Sequence, residues 1–330
     1  MRPSAPPMPA LRVSLGSLRL ANPVLAAAGT FGYGVEFVHA VPLERLGALV
    51  TKTLTRRPRA GNPPPRLVET PSGLLNSVGL QNIGLDAFLT EKLPMLRQRR
   101  VPVIVSVLAE SAEDVVAMVQ RLDRAEGVLA IELNLSCPNT RWGQGNSGQP
   151  LPLAPRPLPL LVAQVPDATA LMVKTAREHT TKPLIAKLSP DVTDLAPIAQ
   201  AAERAGADIL AVANTFTGMS LDPDTGRSRL GALTGGLSGP AIRPLAVYRV
   251  WYTARVVRLP IIGSGGIARA DDALEFFRAG ASAVAIGTAN FAHPGSPLRV
   301  LQGLERYMVR HRIETVQALQ GSPDVARAPA

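Results

Sequence analysis

RAGADILAVAN (204–214) and RAGASAVAIGT (278–288) are two versions of one unit. Each reads as the last turn of a helix, a glycine, and then a short buried apolar run. Glycine just past a helix end takes the left-handed conformation that closes the helix. Outward from these two runs (209–213 and 283–286), similar ones recur at 24–28, 48–53, 103–107, 131–135, 184–188 and 261–263. Stretches with helical periodicity separate them. Alternating strand and helix implies a parallel sheet, and eight such units suggest closure into a TIM (β/α)8 barrel. An open doubly wound sheet is the competing architecture, since periodicity alone does not separate the two.

Two helices can be placed from their ends. Ser111 with Asp114 three residues on forms a capping signal, and Val115, Val116, Val119 and Leu122 make the apolar face. Thr193 is expected to cap a second helix, with Leu195, Ile198, Ala202 and Ala205 inward and Gly206 as its left-handed stop. The prolines at 150, 152, 155, 157, 159 and 166 forbid a regular helix over 148–166, which reads as an extended loop excursion. The whole chain, 1–330, is therefore expected to form one barrel domain with that excursion.

Composition fits this reading. Hydrophobic residues make up 46% and aromatics only 4%, so the core rests on Ala, Val, Leu and Ile, as barrel interiors do. Lys plus Arg number 35 against 25 Asp plus Glu, a net charge of +10, which favours anionic ligands. No basic run is interleaved with the aromatics that single-strand nucleic-acid binding needs, so no nucleic-acid partner is expected. The single cysteine leaves no intrachain disulfide framework and no cysteine cluster, and the four histidines lack metal-ligand spacing, so no metal site is expected. No signal-peptide pattern opens the chain, and no run of about 18 apolar residues suggests a membrane span. A cytoplasmic protein is the expectation.

In a barrel the chemistry sits at the C-terminal ends of the strands. Those ends carry AAAGTFGYG (26–34), Lys52 with Thr53, NLSCPN (134–139), Lys187, Asn214 with Thr215, GSGG (263–266) and Gly287 with Thr288. Two glycine turns after the last two strands point to a phosphate cradle of backbone N–H groups. GSGGIA (263–268) also matches a dinucleotide fingerprint, but too little chain follows it to build that fold. Lone cysteines are most often inert core residues, yet Cys137 lies past a strand end among polar neighbours, which favours a reactive thiol. Lys52 and Lys187 fall within apolar strands. Either they form buried ion pairs, for instance with Glu132, or they face an anionic substrate or reduced cofactor; the second is preferred.

Four long strings, GNPPPRLVETPSGLLNSVGLQNIGL (61–85), IELNLSCPN (131–139), KLSPDVTD (187–194) and TGGLSGPAIRP (234–244), occur in the order found in class 1 dihydroorotate dehydrogenases. The chain resembles that family from about residue 18 to 307, most of all its NAD-linked type 1B catalytic subunits. The resemblance implies oxidation of dihydroorotate to orotate in pyrimidine (UMP) biosynthesis, with one FMN per chain and Cys137 as the base. It implies substrate contacts from Lys52, Asn76, Ser77, Val78, Gly79, Leu80, Asn134, Asn214 and Thr215. For FMN it implies Ala28, Lys52, Thr53, Ser106, Asn134, Lys187, Ala213, Gly239, Gly265, Gly266, Gly287 and Thr288. Relatives often have Ser and Asn where this chain has Ala28 and Ser106, so contacts there would run through backbone atoms. A homodimer joined by a partner subunit carrying FAD and a 2Fe-2S cluster is also implied. The alternatives are the fumarate-linked type 1A enzyme, or another FMN barrel such as a dihydropyrimidine dehydrogenase. A barrel aldolase using Lys187 as a Schiff base would leave Cys137 unexplained.

Overall fold

A computed structural model describes residues 9–109, 111–136 and 161–321. Eight parallel strands close into a barrel: β1 Val24–Ala26, β2 Ala48–Val50, β3 Val103–Val107, β4 Val128–Asn134, β5 Leu184–Lys187, β6 Ile209–Val212, β7 Ile261–Ser264 and β8 Ala283–Ile286. They follow one another in chain order around the barrel, and β8 pairs back onto β1. All eight apolar runs of the sequence are barrel strands, and the open-sheet alternative is excluded.

The repeated unit appears in space as it does in sequence. Helices Ala196–Arg204 and Ala270–Arg278 end one residue before Ala205 and Ala279, and Gly206 (φ +96°) and Gly280 (φ +107°) follow in the left-handed region. Strands β6 and β8 then begin three residues on, fully buried. Side chains there meet neighbours on both sheet faces, so small and branched aliphatics suffice and aromatics are dispensable.

Helix Ala112–Arg124 starts as expected: the Ser111 hydroxyl accepts from the Asp114 N–H at 3.2 Å. Its acidic first turn and basic last turn complement the helix dipole. The buried face is Val115, Met118, Val119 and Leu122, with Val116 only half-buried. The i, i+3, i+4, i+7 spacing from Val115 selects Met118 over Val116.

Thr193 is not a cap. The next helix starts at Ala196, whose N–H is bound by the Asp194 carboxylate at 2.9 Å. The carboxylate also accepts from the Tyr252 hydroxyl, which ties the helix start to helix Arg243–Ala254. Of the Pro-rich stretch only 161–166 is described. It holds a 3-10 turn, Val162–Gln164, and Pro166 opens helix Pro166–Arg177, a first-turn position where its missing N–H costs nothing.

A second layer covers the C-terminal mouth. Strands Leu67–Thr70, Gly73–Asn76, Gly235–Ser238 and Phe216–Gly218 form an antiparallel sheet from the segments that follow β2 and β6. At the opposite end the hairpin Val13–Leu15/Leu18–Leu20 buries its leucines against the core, with Gly16 close to Asp208 just before β6. The hairpin thus closes the barrel below, and the sheet above leaves a cavity over the strand ends.

Candidate active site

One cavity opens at the C-terminal ends of the strands, with about 1170 Å³ of empty space including its mouth. Lys52 and Thr53 lie just past the end of β2, Asn134 ends β4, and Lys187 ends β5, directly beside Asn134 in the sheet register. The exit of β6 contributes Ala213, Asn214 and Thr215, and β1 contributes Ala28. Asn76, Val78, Gly79 and Leu80 enter from the covering sheet and the loop after it, while Gly239, Gly265, Gly266, Gly287 and Thr288 line the far wall.

Three residues expected at the site are not in this lining. Ser77 is fully buried, and its hydroxyl accepts from Asn62 at 2.9 Å. Ser106 is fully buried behind the wall. Cys137 lies outside the described residues. Conversely, Gly29, Thr30, Ser238, Ser264 and Phe291 line the cavity without having been singled out. Thr30 and Ser264 stand inside the strand-end strings quoted above, so strand-end position was the available signal.

The far wall is shaped by backbone. Gly265 (φ +134°) and Gly266 (φ +73°) occupy conformations that side chains rarely adopt. A Cβ on Gly265 would lie 2.6 Å from the Ala246 Cβ, and one on Gly266 would lie 2.8 Å from the Gly239 carbonyl. Gly287 differs: a Cβ there would meet nothing in the protein nearer than Ala27, at 3.7 Å. A methyl there would make only ordinary contacts, so packing against the described residues does not demand glycine at this lining position. Asp272, itself buried, accepts from the N–H groups of Ala268 and Arg269 at 2.9 Å each and pairs with Arg243, so the loop after β7 is clamped.

The near wall is a loop held in a demanding shape. Gly79 (φ +71°) and Leu80 (φ +58°) are successive left-handed residues. The Asn82 amide binds the Leu80 carbonyl at 2.8 Å and the Thr55 hydroxyl at 2.9 Å, and its carbonyl oxygen accepts from the N–H groups of Thr55 and Gly84. Tyr33, from the loop after β1, accepts the Ile83 N–H at 3.1 Å. Burial pushes this phenol above its ordinary pKa, so it stays neutral.

Behind the floor runs a buried polar chain. The Asn214 amide donates to the Ser136 hydroxyl at 2.9 Å, and that hydroxyl donates to the Asn134 carbonyl oxygen at 3.2 Å. The Asn134 amide donates to the Thr53 hydroxyl at 3.0 Å, which lies 3.0 Å from the Ser106 hydroxyl. Ser106 donates to Glu132 at 2.8 Å. Glu132 is thus engaged by a hydroxyl, and among the described residues no ion pair involves Lys187. The cavity therefore offers ammonium groups, amides and backbone N–H groups, a set suited to an anionic ring rich in carbonyls and to a phosphate.

Among the described residues no cluster of His, Cys, Asp or Glu could hold a metal ion, and no helix is long and apolar enough to cross a membrane. The family model for dihydroorotate dehydrogenase matches residues 10–308. The chain is 46% identical over 314 residues to the protein named dihydroorotate dehydrogenase B (NAD(+)), catalytic subunit, of Trichlorobacter lovleyi, covering 95% of this chain and 98% of that one. The protein of the same name from Geobacter sulfurreducens is 45% identical over 317 residues, 96% and 99% of the two chains. Among solved structures, a dihydroorotate dehydrogenase of Eimeria tenella in complex with ferulenol superposes with a TM-score of 0.74 at 25% identity, covering 97% of this chain and 90% of that one.

Proposed function

Since the chain belongs to the dihydroorotate dehydrogenase family, we propose that it oxidises (S)-dihydroorotate to orotate in pyrimidine synthesis, as the catalytic subunit of an NAD-linked enzyme. One observation carries this reading. A single cavity is lined by Asn76, Val78, Gly79, Leu80, Asn134, Asn214 and Thr215 together with Lys52, Lys187 and the glycines at 239, 265, 266 and 287.

FMN fits the glycine wall. Gly265, Gly266 and Gly239 let backbone come close where a Cβ would collide, and Gly287 leaves room that a phosphate oxygen can use. In this reading Gly239, Gly265, Gly266, Gly287 and Thr288 hold the phosphate, while Ala28, Lys52, Thr53, Asn134, Lys187 and Ala213 hold the ring system, one FMN per chain. Ser106 acts behind that wall, through Thr53. When bound, FMN supplies the acceptor for the hydride that leaves carbon 6 of dihydroorotate.

The chain's own groups supply the rest. Lys52 pairs with the substrate carboxylate, and Asn76, Asn134, Asn214 and Thr215 hydrogen-bond the carbonyl and N–H groups of the ring. The loop 78–80, fixed by Asn82, closes over the substrate and excludes water. Cys137, as thiolate, takes the proton from carbon 5. Its support is its chain position, next to Ser136, whose hydroxyl binds both Asn134 and Asn214.

No second dinucleotide site is evident in the sequence, and one cysteine cannot hold an iron–sulfur cluster. Electrons therefore leave through a partner subunit carrying FAD and a 2Fe-2S cluster, in an assembly of two catalytic and two electron-transfer subunits. The test uses the purified, FMN-loaded chain under anaerobic conditions. Dihydroorotate should bleach the flavin and reduce artificial dyes without forming NADH, and adding the partner should confer NADH formation. An unbleached flavin refutes the substrate assignment. NADH formation by the chain alone, or efficient turnover with fumarate, refutes the electron route.

A further inference from the structure

Glu132 and Asp272 are the buried carboxylates among the described residues, 4% and 3% exposed. Asp272 has a structural duty, clamping the loop after β7. Glu132 has none of that kind: it sits within β4, register partner of Ser106 on β3, and binds the Ser106 hydroxyl. A buried carboxyl group is costly unless hydrogen bonds meet it, and here the Ser106 hydroxyl does so.

We propose that Glu132 and Ser106 are positioning residues that fix which way the Asn134 side-chain amide faces, and thereby the pattern of donors and acceptors the cavity presents to the substrate ring. A carboxylate oxygen only accepts hydrogen bonds, whereas a hydroxyl has one proton to give. Ser106 spends its proton on Glu132, so toward Thr53 it can only accept. Thr53 then spends its own proton on Ser106 and can only accept from Asn134. That site takes the NH2 end of the amide and rejects the carbonyl end.

The other end agrees. Ser136 receives the Asn214 amide proton and gives its own to the Asn134 carbonyl oxygen. A flipped Asn134 would set its carbonyl against a Thr53 oxygen whose proton is engaged, and would set its NH2 group against the Ser136 hydroxyl. The Ser136 N–H also donates to the Asn134 carbonyl oxygen, at 3.4 Å, so that end is held by two donors, the Thr53 end is held by one bond, and the second N–H of Asn134 remains to be offered in a fixed direction. Every member from Asn134 to Glu132 is at most 7% exposed, so water does not readily substitute for a missing link.

This inference rests on the dihydroorotate reading, and its test separates the two. FMN-loaded proteins are titrated with orotate through the visible absorption of the flavin, and steady-state dye reduction gives KM and kcat for dihydroorotate. Ser106→Ala should raise the orotate Kd and the dihydroorotate KM about tenfold, equivalent to about 1.4 kcal/mol, with kcat within about threefold. Glu132→Gln keeps a carbonyl acceptor for Ser106 and should stay within about threefold of the parent Kd. Glu132→Leu should match Ser106→Ala, and the double variant should be no worse than either single one, because both cut one chain. If the leucine variant does not fold, Ser106→Ala and Glu132→Gln still decide the matter. Parent-like orotate binding by Ser106→Ala overturns the inference, as do Glu132→Gln binding as poorly as Ser106→Ala and additive losses in the double variant. Failure of the parent itself to bind orotate or be reduced by dihydroorotate instead removes the functional reading and this inference with it.

Discussion

Replacing Gly287 with alanine tests the phosphate cradle without disturbing the barrel. The new methyl would meet the Ala27 Cβ at 3.7 Å and the Thr30 Cγ2 at 3.9 Å, ordinary contact distances. Gly287 is not among the positive-φ glycines, so alanine adopts its backbone without strain. By narrowing the unfolded ensemble the change should even add about 0.4–1 kcal/mol of stability. Toward the cavity, however, the methyl occupies space assigned to a phosphate oxygen. Losing one charge-assisted hydrogen bond costs about 1.5–3 kcal/mol, or a roughly 10- to 150-fold weaker FMN Kd. The assay is quenching of free FMN fluorescence by the apoprotein, run beside thermal melts of the same samples. Gly265→Ala is the contrast: its φ of +134° and the 2.6 Å approach to Ala246 should lower Tm before any ligand is added. An unchanged FMN Kd in Gly287→Ala, or a fall in its apoprotein Tm, refutes the reasoning.

Other perturbations separate the remaining roles. Cys137→Ala should keep FMN and slow flavin reduction by dihydroorotate by about two to four orders of magnitude, the usual worth of a positioned base; Cys137→Ser should recover more activity than Ala at high pH. Stopped-flow bleaching decides, and near-normal rates in Ala sink the assignment. Shortening 148–159 should leave a folded, FMN-binding protein with effects confined to turnover, and loss of soluble expression would make that segment structural. At the barrel's closed end, the Thr180 hydroxyl and then the Thr181 N–H hold Asp123 below its ordinary pKa. A lowered folded value means that its stabilisation is fully present above the unfolded pKa of about 3.9 and is lost as pH falls through the folded value. Asp123→Asn should therefore melt earlier than the parent near neutrality, with the gap closing on acidification; a pH-independent gap argues against the linkage.

The barrel was legible because parallel strands buried on both faces read as unbroken apolar runs. Their C-terminal limits were not, since past β1 the chain turns at Ala28 and past β2 Lys52 and Thr53 line the cavity. The antiparallel sheet over the mouth left almost no trace. Its strands are three or four residues long and half-exposed, as the alternation over Leu67–Thr70 shows, so neither length nor hydrophobicity marks them. Thr193 and Asp194 are both good caps by composition. The contact with Tyr252, fifty-eight residues away, falls to Asp194, and no local rule contains that contact.

The two walls of the cavity differ in the same way. The glycine wall depends on backbone conformation, a property of each residue and its chain neighbours, so GSGG at a strand end announces it. The polar chain from Asn214 to Glu132 depends on which strands stand side by side and in what register. Ser106 and Glu132 meet because β3 pairs with β4 in the register that makes them partners, and Thr53 joins them because the chain past β2 runs on along β3, with the Leu54 N–H bonded to the Ser106 carbonyl at 2.8 Å. Read singly, Ser106 was a weakened cofactor contact and Glu132 a possible lysine partner. Closing the barrel gives both a different task. The residues that touch ligand are set by strand ends, which sequence shows, while those that decide how the ligand-touching amides face are set by closure, which only the folded chain shows.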